Sequence, residues 1–172
     1  MVYLIDANVL IAAANVHYPI DVFPVFWDWL EYQIIQGRIR MPREIFDEVK
    51  DGSDDEEVDL LFAWIQREHL KEALVLEEDA DVDIVQSIMA ASYSPLNDIQ
   101  LEQIGQDPFL VAYAKADEDG RCVVTYEKPA PHTAPQNRKV PDACATAGVR
   151  WCDPMRMLRD LGFSSSWQPP AV

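Results

Sequence analysis

Four acids stand where one cation-binding pocket could be built from them. Asp6 follows the apolar run Val2-Tyr3-Leu4-Ile5, and Glu48 lies one or two turns beyond Pro42. Asp107 immediately precedes Pro108, and Glu127 comes two residues after Thr125, at the end of a second apolar run. Carboxylates brought together repel, and each has its pKa raised unless a cation neutralises it. A pocket of three or four acids with no Cys or His ligand selects hard, oxygen-seeking cations, meaning Mg2+ or Mn2+. In phosphodiester hydrolysis such ions generate a hydroxide nucleophile and steady the charge developing on the phosphorus oxygens; two of them about 3.5–4 Å apart can clamp the attacking and leaving oxygens. No histidine base is needed, and His17, His69 and His132 all lie away from these acids in sequence.

Each acid also has a plainer use. Asp6 after a strand is a good helix N-cap. Asp107 caps equally well, with Pro108 at the first helical position. Glu48 shares its helix with the rivals Glu44 and Asp47. Thr125 either donates its hydroxyl to the pocket or ends a strand. Arg43, Lys128, Arg138 and Lys139 are candidate phosphate contacts, weighed against the solvated state usual for surface cations.

The elements that must position these residues alternate between extended and helical patterns. Buried strands are expected at Val2–Ile5, Arg121–Thr125 and Val149–Trp151, with extended pieces at Arg38–Met41 and Leu74–Leu76. Helices are expected at Ala7–Ala14, Val22–Gln36, Pro42–Asp51, Asp54–Glu72, Asp81–Ala91, Leu96–Gly105, from Asp107 to about Asp119, Pro141–Ala147 and Pro154–Leu161, with Gly52-Ser53 breaking the third from the fourth. Glu127 to Lys139 is proline-rich and reads as an exposed loop, and Gly162 to Val172 as a weakly structured tail. This order predicts a mostly parallel α/β sheet of four to five strands with helices on both faces. Such sheets bind ligands at the carboxyl ends of their strands, where Asp6, Asp107 and Glu127 would converge.

The bulk properties fit that reading. With 172 residues the chain suits one domain, and 49% hydrophobic content is ordinary for a folded one. No positively charged leader opens it, and no apolar run reaches the ~18 residues of a membrane helix, so a cytoplasmic protein is expected. Three cysteines with no Cys-x-x-Cys spacing suggest reduced thiols. The net charge of −16 is unevenly placed: Glu44 to Asp83 carries −13, whereas Arg121 to Arg159 carries +4. The basic third could face phosphate while the acidic third faces away.

Leu4-Ile5-Asp6-Ala7-Asn8-Val9-Leu10-Ile11 resembles the opening signature of PIN domains, and Pro42-Arg43-Glu44-Ile45-Phe46-Asp47-Glu48-Val49 resembles their second motif. Asp107-Pro108-Phe109-Leu110-Val111-Ala112-Tyr113-Ala114 is similar to the third and Val123-Val124-Thr125-Tyr126-Glu127 to the fourth. Lys139-Val140-Pro141-Asp142-Ala143-Cys144, with Gly148-Val149, further resembles a PIN-like subfamily catalogued as a domain of unknown function. The likeness spans about residues 2 to 161. It implies a three-layer α/β/α PIN-like fold over residues 1–162, with 163–172 as tail. It also implies Asp6, Glu48, Asp107 and Glu127 as catalytic and metal-binding residues for Mg2+ or Mn2+, with Asn8 orienting metal-bound water or a phosphate. Where many PIN domains carry Asp in the fourth motif this chain has Glu127, which either reaches the metal through water or leaves the role to Asp142. The activity implied is a metal-dependent endoribonuclease, the toxin of a toxin–antitoxin pair. Its partners would be RNA, a small antitoxin protein and a second copy of the chain, with no membrane. The competing reading is a PIN-like binding or regulatory module with weak or absent catalysis. A phosphohydrolase using Asp6 as nucleophile would want a second Asp where Asn8 stands.

Overall fold

The computed structural model describes residues 1–51 and 60–170. Four strands form its one sheet: β1 (Val2–Ile5), β2 (Ile39–Arg40), β3 (Arg121–Val124) and β4 (Trp151–Cys152). Their order is β2-β1-β3-β4 and every pairing is parallel. Leu4, Ile5, Val123 and Val124 are wholly buried, as expected for short apolar strands covered on both faces. Helices flank the sheet on both sides, so the fold is three-layer α/β/α.

The register sets the site. Ile5 pairs with Val124, so the chain leaves β1 and β3 side by side, with Asp6 N donating to Val124 O at 3.0 Å. From β1 the chain enters α1 (Ala7–Ala12) directly. The helix does not stop near Ala14, as its sequence suggests, but widens into a π-helical turn over Ala13–His17. Two helices follow that match their apolar spacing: α2 (Pro24–Ile35) and α3 (Arg43–Asp51).

The single helix expected over Asp54–Glu72 is different. Its opening acids and the Gly52-Ser53 break lie outside the described residues. The rest is two helices, α4 (Leu60–Ile65) and α5 (Glu68–Leu74), divided at Gln66-Arg67. The reason is phase. Leu61, Trp64 and Ile65 face inward, and an unbroken helix would next bury Glu68 and Glu72. Breaking at extended Arg67 turns Leu70 and Leu74 inward instead. That lengthened helix also consumes Leu74, so the expected strand at 74–76 shrinks to one bridge between Met41 and Val75.

Next come α6 (Val82–Ser92), α7 (Asp98–Gln103), α8 (Asp107–Ala116), α9 (Val140–Ala147) and α10 (Pro154–Asp160). The tail is better packed than its composition suggests. Phe163 lies 5.1 Å from Trp29 and 5.6 Å from Phe26, and Trp167 lies 5.5 Å from Tyr32, between ring centroids. These aromatic contacts fasten 163–167 to α2. All three cysteines are free thiols. Among the described residues, no helix is long and apolar enough to cross a membrane.

Candidate functional site

Asp6 is the N-cap of α1, the plainer of its two expected uses, and its carboxylate is firmly held at this sheet edge. Its Oδ2 accepts from Asn8 Nδ2 at 2.6 Å and from Thr125 Oγ1 at 2.7 Å; Oδ1 receives only a 3.5 Å contact from Asn8 N. Asn8 and Thr125 are themselves 3.1 Å apart, and Tyr126 N and Glu127 N donate to Asn8 Oδ1 and Thr125 Oγ1. This network ties the end of β3 to the start of α1. Asp6 is only 5% exposed. Burial pushes its pKa up to about 6 against the lowering effect of Thr125 and Asn8, and Glu127 and Glu48 add repulsion.

Glu48 reaches the same place from α3. Its Oε1 accepts from Gln106 N at 2.9 Å, and its pKa is raised by burial against that bond. Its rivals on the helix face elsewhere. Glu44 acts on the Tyr113 hydroxyl and keeps one buried oxygen unpartnered, while Asp47 lines an exterior groove with Lys71. The approach of Glu48 depends on Gly105, which adopts φ +55°, and where a Cβ would stand 2.7 Å from Glu48 Oε1. Gly105→Ala is therefore expected to displace the mobile carboxylate end rather than the backbone. Mn2+ affinity should fall about tenfold, as for lost supports of a metal ligand, and stability by about 1–2 kcal/mol for the left-handed backbone. Calorimetry and urea denaturation read the two effects; unchanged Mn2+ affinity would remove Glu48 from the ligand set.

Asp107 opens α8 and is the most frustrated of the four. Burial first, then repulsion from Asp6, Glu127 and Glu48, holds its pKa well above the usual carboxylate range; Lys139 opposes the shift. Among the described residues, no hydrogen bond or ion pair reaches its carboxylate. Tyr93, at the end of α6, is fully buried, its hydroxyl has no partner among the described residues, and its pKa is raised by burial and then by Asp107. Neither Tyr93 nor the Gly105-Gln106 pair was expected from the sequence. A glycine just ahead of Asp107-Pro108 was the available signal for the pair, and Tyr93 had none.

Glu127 sits on the rim. Lys139 Nζ donates to its Oε1 and Val140 N to its Oε2, each at 2.7 Å. Asp142, the alternative fourth acid, is occupied differently: its Oδ2 accepts from Ala130 N at 2.7 Å and cinches the loop over 127–139. Arg138 does the same from the other side, donating to Ser92 O and Pro131 O. The loop is thus held at several points rather than simply exposed. Lys128 is exposed, and Arg43 lines the groove beside Asp47.

The chemistry of this set suits a hard divalent cation. The ligating atoms are all oxygens, Glu127 and Glu48 repel Asp6 and, with Asp6, repel Asp107, and among the described residues Asp107 has no partner. Among the described residues, no three Asp, Glu, His or Cys side chains converge closely enough to hold an ion as they stand. Glu127, Glu48 and Asp6 are each held instead by a hydrogen-bond donor.

Residues 3–165 match the sequence model of a family described as a domain of unknown function, DUF4411. Among solved structures, the crystal structure of PAE2754 from Pyrobaculum aerophilum is similar over 94% of this chain and 96% of that one. The TM-score is 0.50 at 16% sequence identity, a likeness of fold alone. No curated protein matches the chain.

Proposed function

We propose that this chain, which belongs to the DUF4411 family of domains of unknown function, is a metal-dependent endoribonuclease of the PIN-like kind. The observation that carries the reading is Asp107: among the described residues no donor reaches its carboxylate, and Asp6, Glu127 and Glu48 all act on it electrostatically at the carboxyl edge of a parallel sheet. Mg2+ or Mn2+ at Asp6, Glu48 and Asp107, with the charge of Glu127 nearby, would supply positive charge at the scissile phosphate and an acidified water.

The chain's own residues do the rest. Thr125 and Asn8 hold Asp6 in one rotamer, and the Gln106 amide holds Glu48. Lys139 presents positive charge beside the acids, with Lys128 exposed near it for backbone phosphate. The charge of −13 between Glu44 and Asp83 repels a polyanion, which favours an approach led by cations such as Lys128 and Lys139. Assignment as the toxin of a toxin–antitoxin pair, with a small antitoxin as partner, rests on the PIN resemblance of the four motifs.

The purified chain is expected to cut single-stranded or structured RNA with Mn2+ or Mg2+, to stop in EDTA, and to resume with excess metal. Intact RNA at every metal concentration would reject the nuclease. The second reading, a binding module without catalysis, would then stand; it is favoured by the commitment of Glu127 to Lys139.

A further inference from the structure

Glu127 differs from the other three acids in having a short hydrogen bond on each of its oxygens. Lys139 Nζ holds one and Val140 N the other. Asp6 concentrates its short bonds on Oδ2, Glu48 uses Oε1, and Asp107 accepts none among the described residues. Three carboxylates therefore keep an oxygen without a short hydrogen bond, and the fourth holds an ammonium.

We propose that Lys139 is a tethered cation standing in place of a second divalent ion, so that the pocket takes one Mg2+ or Mn2+ per chain and Glu127 positions Lys139 rather than ligating metal. The proposal rests on the metal-site reading above. Charge favours it. Four carboxylates carry −4; one divalent ion with Lys139 leaves −1, whereas two such ions with Lys139 would give +1 before any substrate binds.

The fold holds the ammonium there. Lys139 is the N-cap residue of α9, and the Val140 amide that grips Glu127 is one of that helix's unpaired first-turn donors. Arg138, next in the chain, is pinned by two backbone carbonyls, which fixes where Lys139 begins. An ammonium has three donors and Glu127 takes one, so the others can meet a phosphate oxygen. Lys139 also sits close enough to Asp107 to oppose the rise of its pKa.

Titration of the full-length protein with Mn2+ alone, by calorimetry, tests this. Wild type is expected to bind one ion. Lys139→Met is expected to free Glu127 and admit a second, or to tighten the first about tenfold through loss of a neighbouring positive charge. Lys139→Arg keeps the charge and is expected to keep a single site. Glu127→Gln, which leaves the other three acids intact, is expected to keep a single site and to weaken the first ion by less than about tenfold, the effect of one neighbouring charge; loss of a true ligand or its support costs about 10–100-fold. Two ions on wild type, or a Glu127→Gln loss in that larger range, overturns the tethered cation and leaves the metal site standing. No Mn2+ bound to wild type overturns the metal site itself, and the proposal with it.

Discussion

Asp6→Asn is expected to lower Mn2+-dependent RNA cleavage by about 10³-fold or more while the chain stays folded. The two short hydrogen bonds to Asp6 both reach Oδ2. An amide carbonyl placed there accepts from Asn8 and Thr125 just as the carboxylate does, so the junction of β1, β3 and α1 survives. What disappears is the negative charge, together with the Oδ1 lone pairs, now an NH2 group. Several kcal/mol of transition-state charge stabilisation travel through a hydrolytic metal ion, and each 1.36 kcal/mol is tenfold in rate. Single-turnover cleavage of a labelled RNA, with circular dichroism to confirm the fold, measures the effect. Cleavage that persists in the purified variant would belong to a contaminating nuclease, and the assignment would fall.

The fold was legible wherever a local pattern determined an element. Leu4-Ile5-Asp6 and Val123-Val124-Thr125 are short apolar runs ending in polar residues, and both became buried parallel strands delivering those residues to one edge. The readings that moved did so for non-local reasons. One helix became α4 and α5 because burying Leu70 and Leu74 outweighs continuing a helix that would bury Glu68 and Glu72. The last strand moved from Val149–Trp151 to Trp151–Cys152 because its pairing with Val123-Val124 sets its span. At the site, Asp6 and Asp107 could be placed from their positions relative to strand and helix. The state of Glu127 could not, because its partners Lys139 and Val140 lie 12 and 13 residues away across a loop. Tyr93 was equally hidden: nothing local marks a tyrosine at a helix end as a buried hydroxyl beside an acid.

Metal-free protein is expected to lose stability as pH rises from about 5 to 7, and Mn2+ or Mg2+ to restore it. Asp6 is pushed up to about 6 from the ordinary 3.8 of an aspartate. The folded state thus binds this proton more tightly than the unfolded chain does. Its contribution is fully present below about pH 4 and is lost as pH climbs through about 6. Two pKa units at 1.36 kcal/mol each make the whole contribution about 3 kcal/mol; about half of it is lost between pH 5 and 7, or about 3–6 °C in melting temperature for a chain of this size. Asp107 and Glu48 are raised as well and act in the same direction. Asp160, lowered by its exposed pairing with Arg156, acts oppositely but at lower pH, outside this window. The whole acidic chain also repels itself more as pH rises, so the slope alone does not identify the site. Asp6→Asn separates the two effects: it removes the buried charge but only one of thirty acids. In EDTA at pH 7 the variant is expected to be more stable than wild type, with a shallower slope between pH 5 and 7. With saturating Mn2+ the order should reverse, because only wild type gains the full binding energy. Urea denaturation at pH 5, 6 and 7, with EDTA and with Mn2+, measures all four curves. A variant less stable than wild type in EDTA at pH 7 would mean that Asn8 and Thr125 already satisfy the Asp6 charge without a cation, and would count against the metal site.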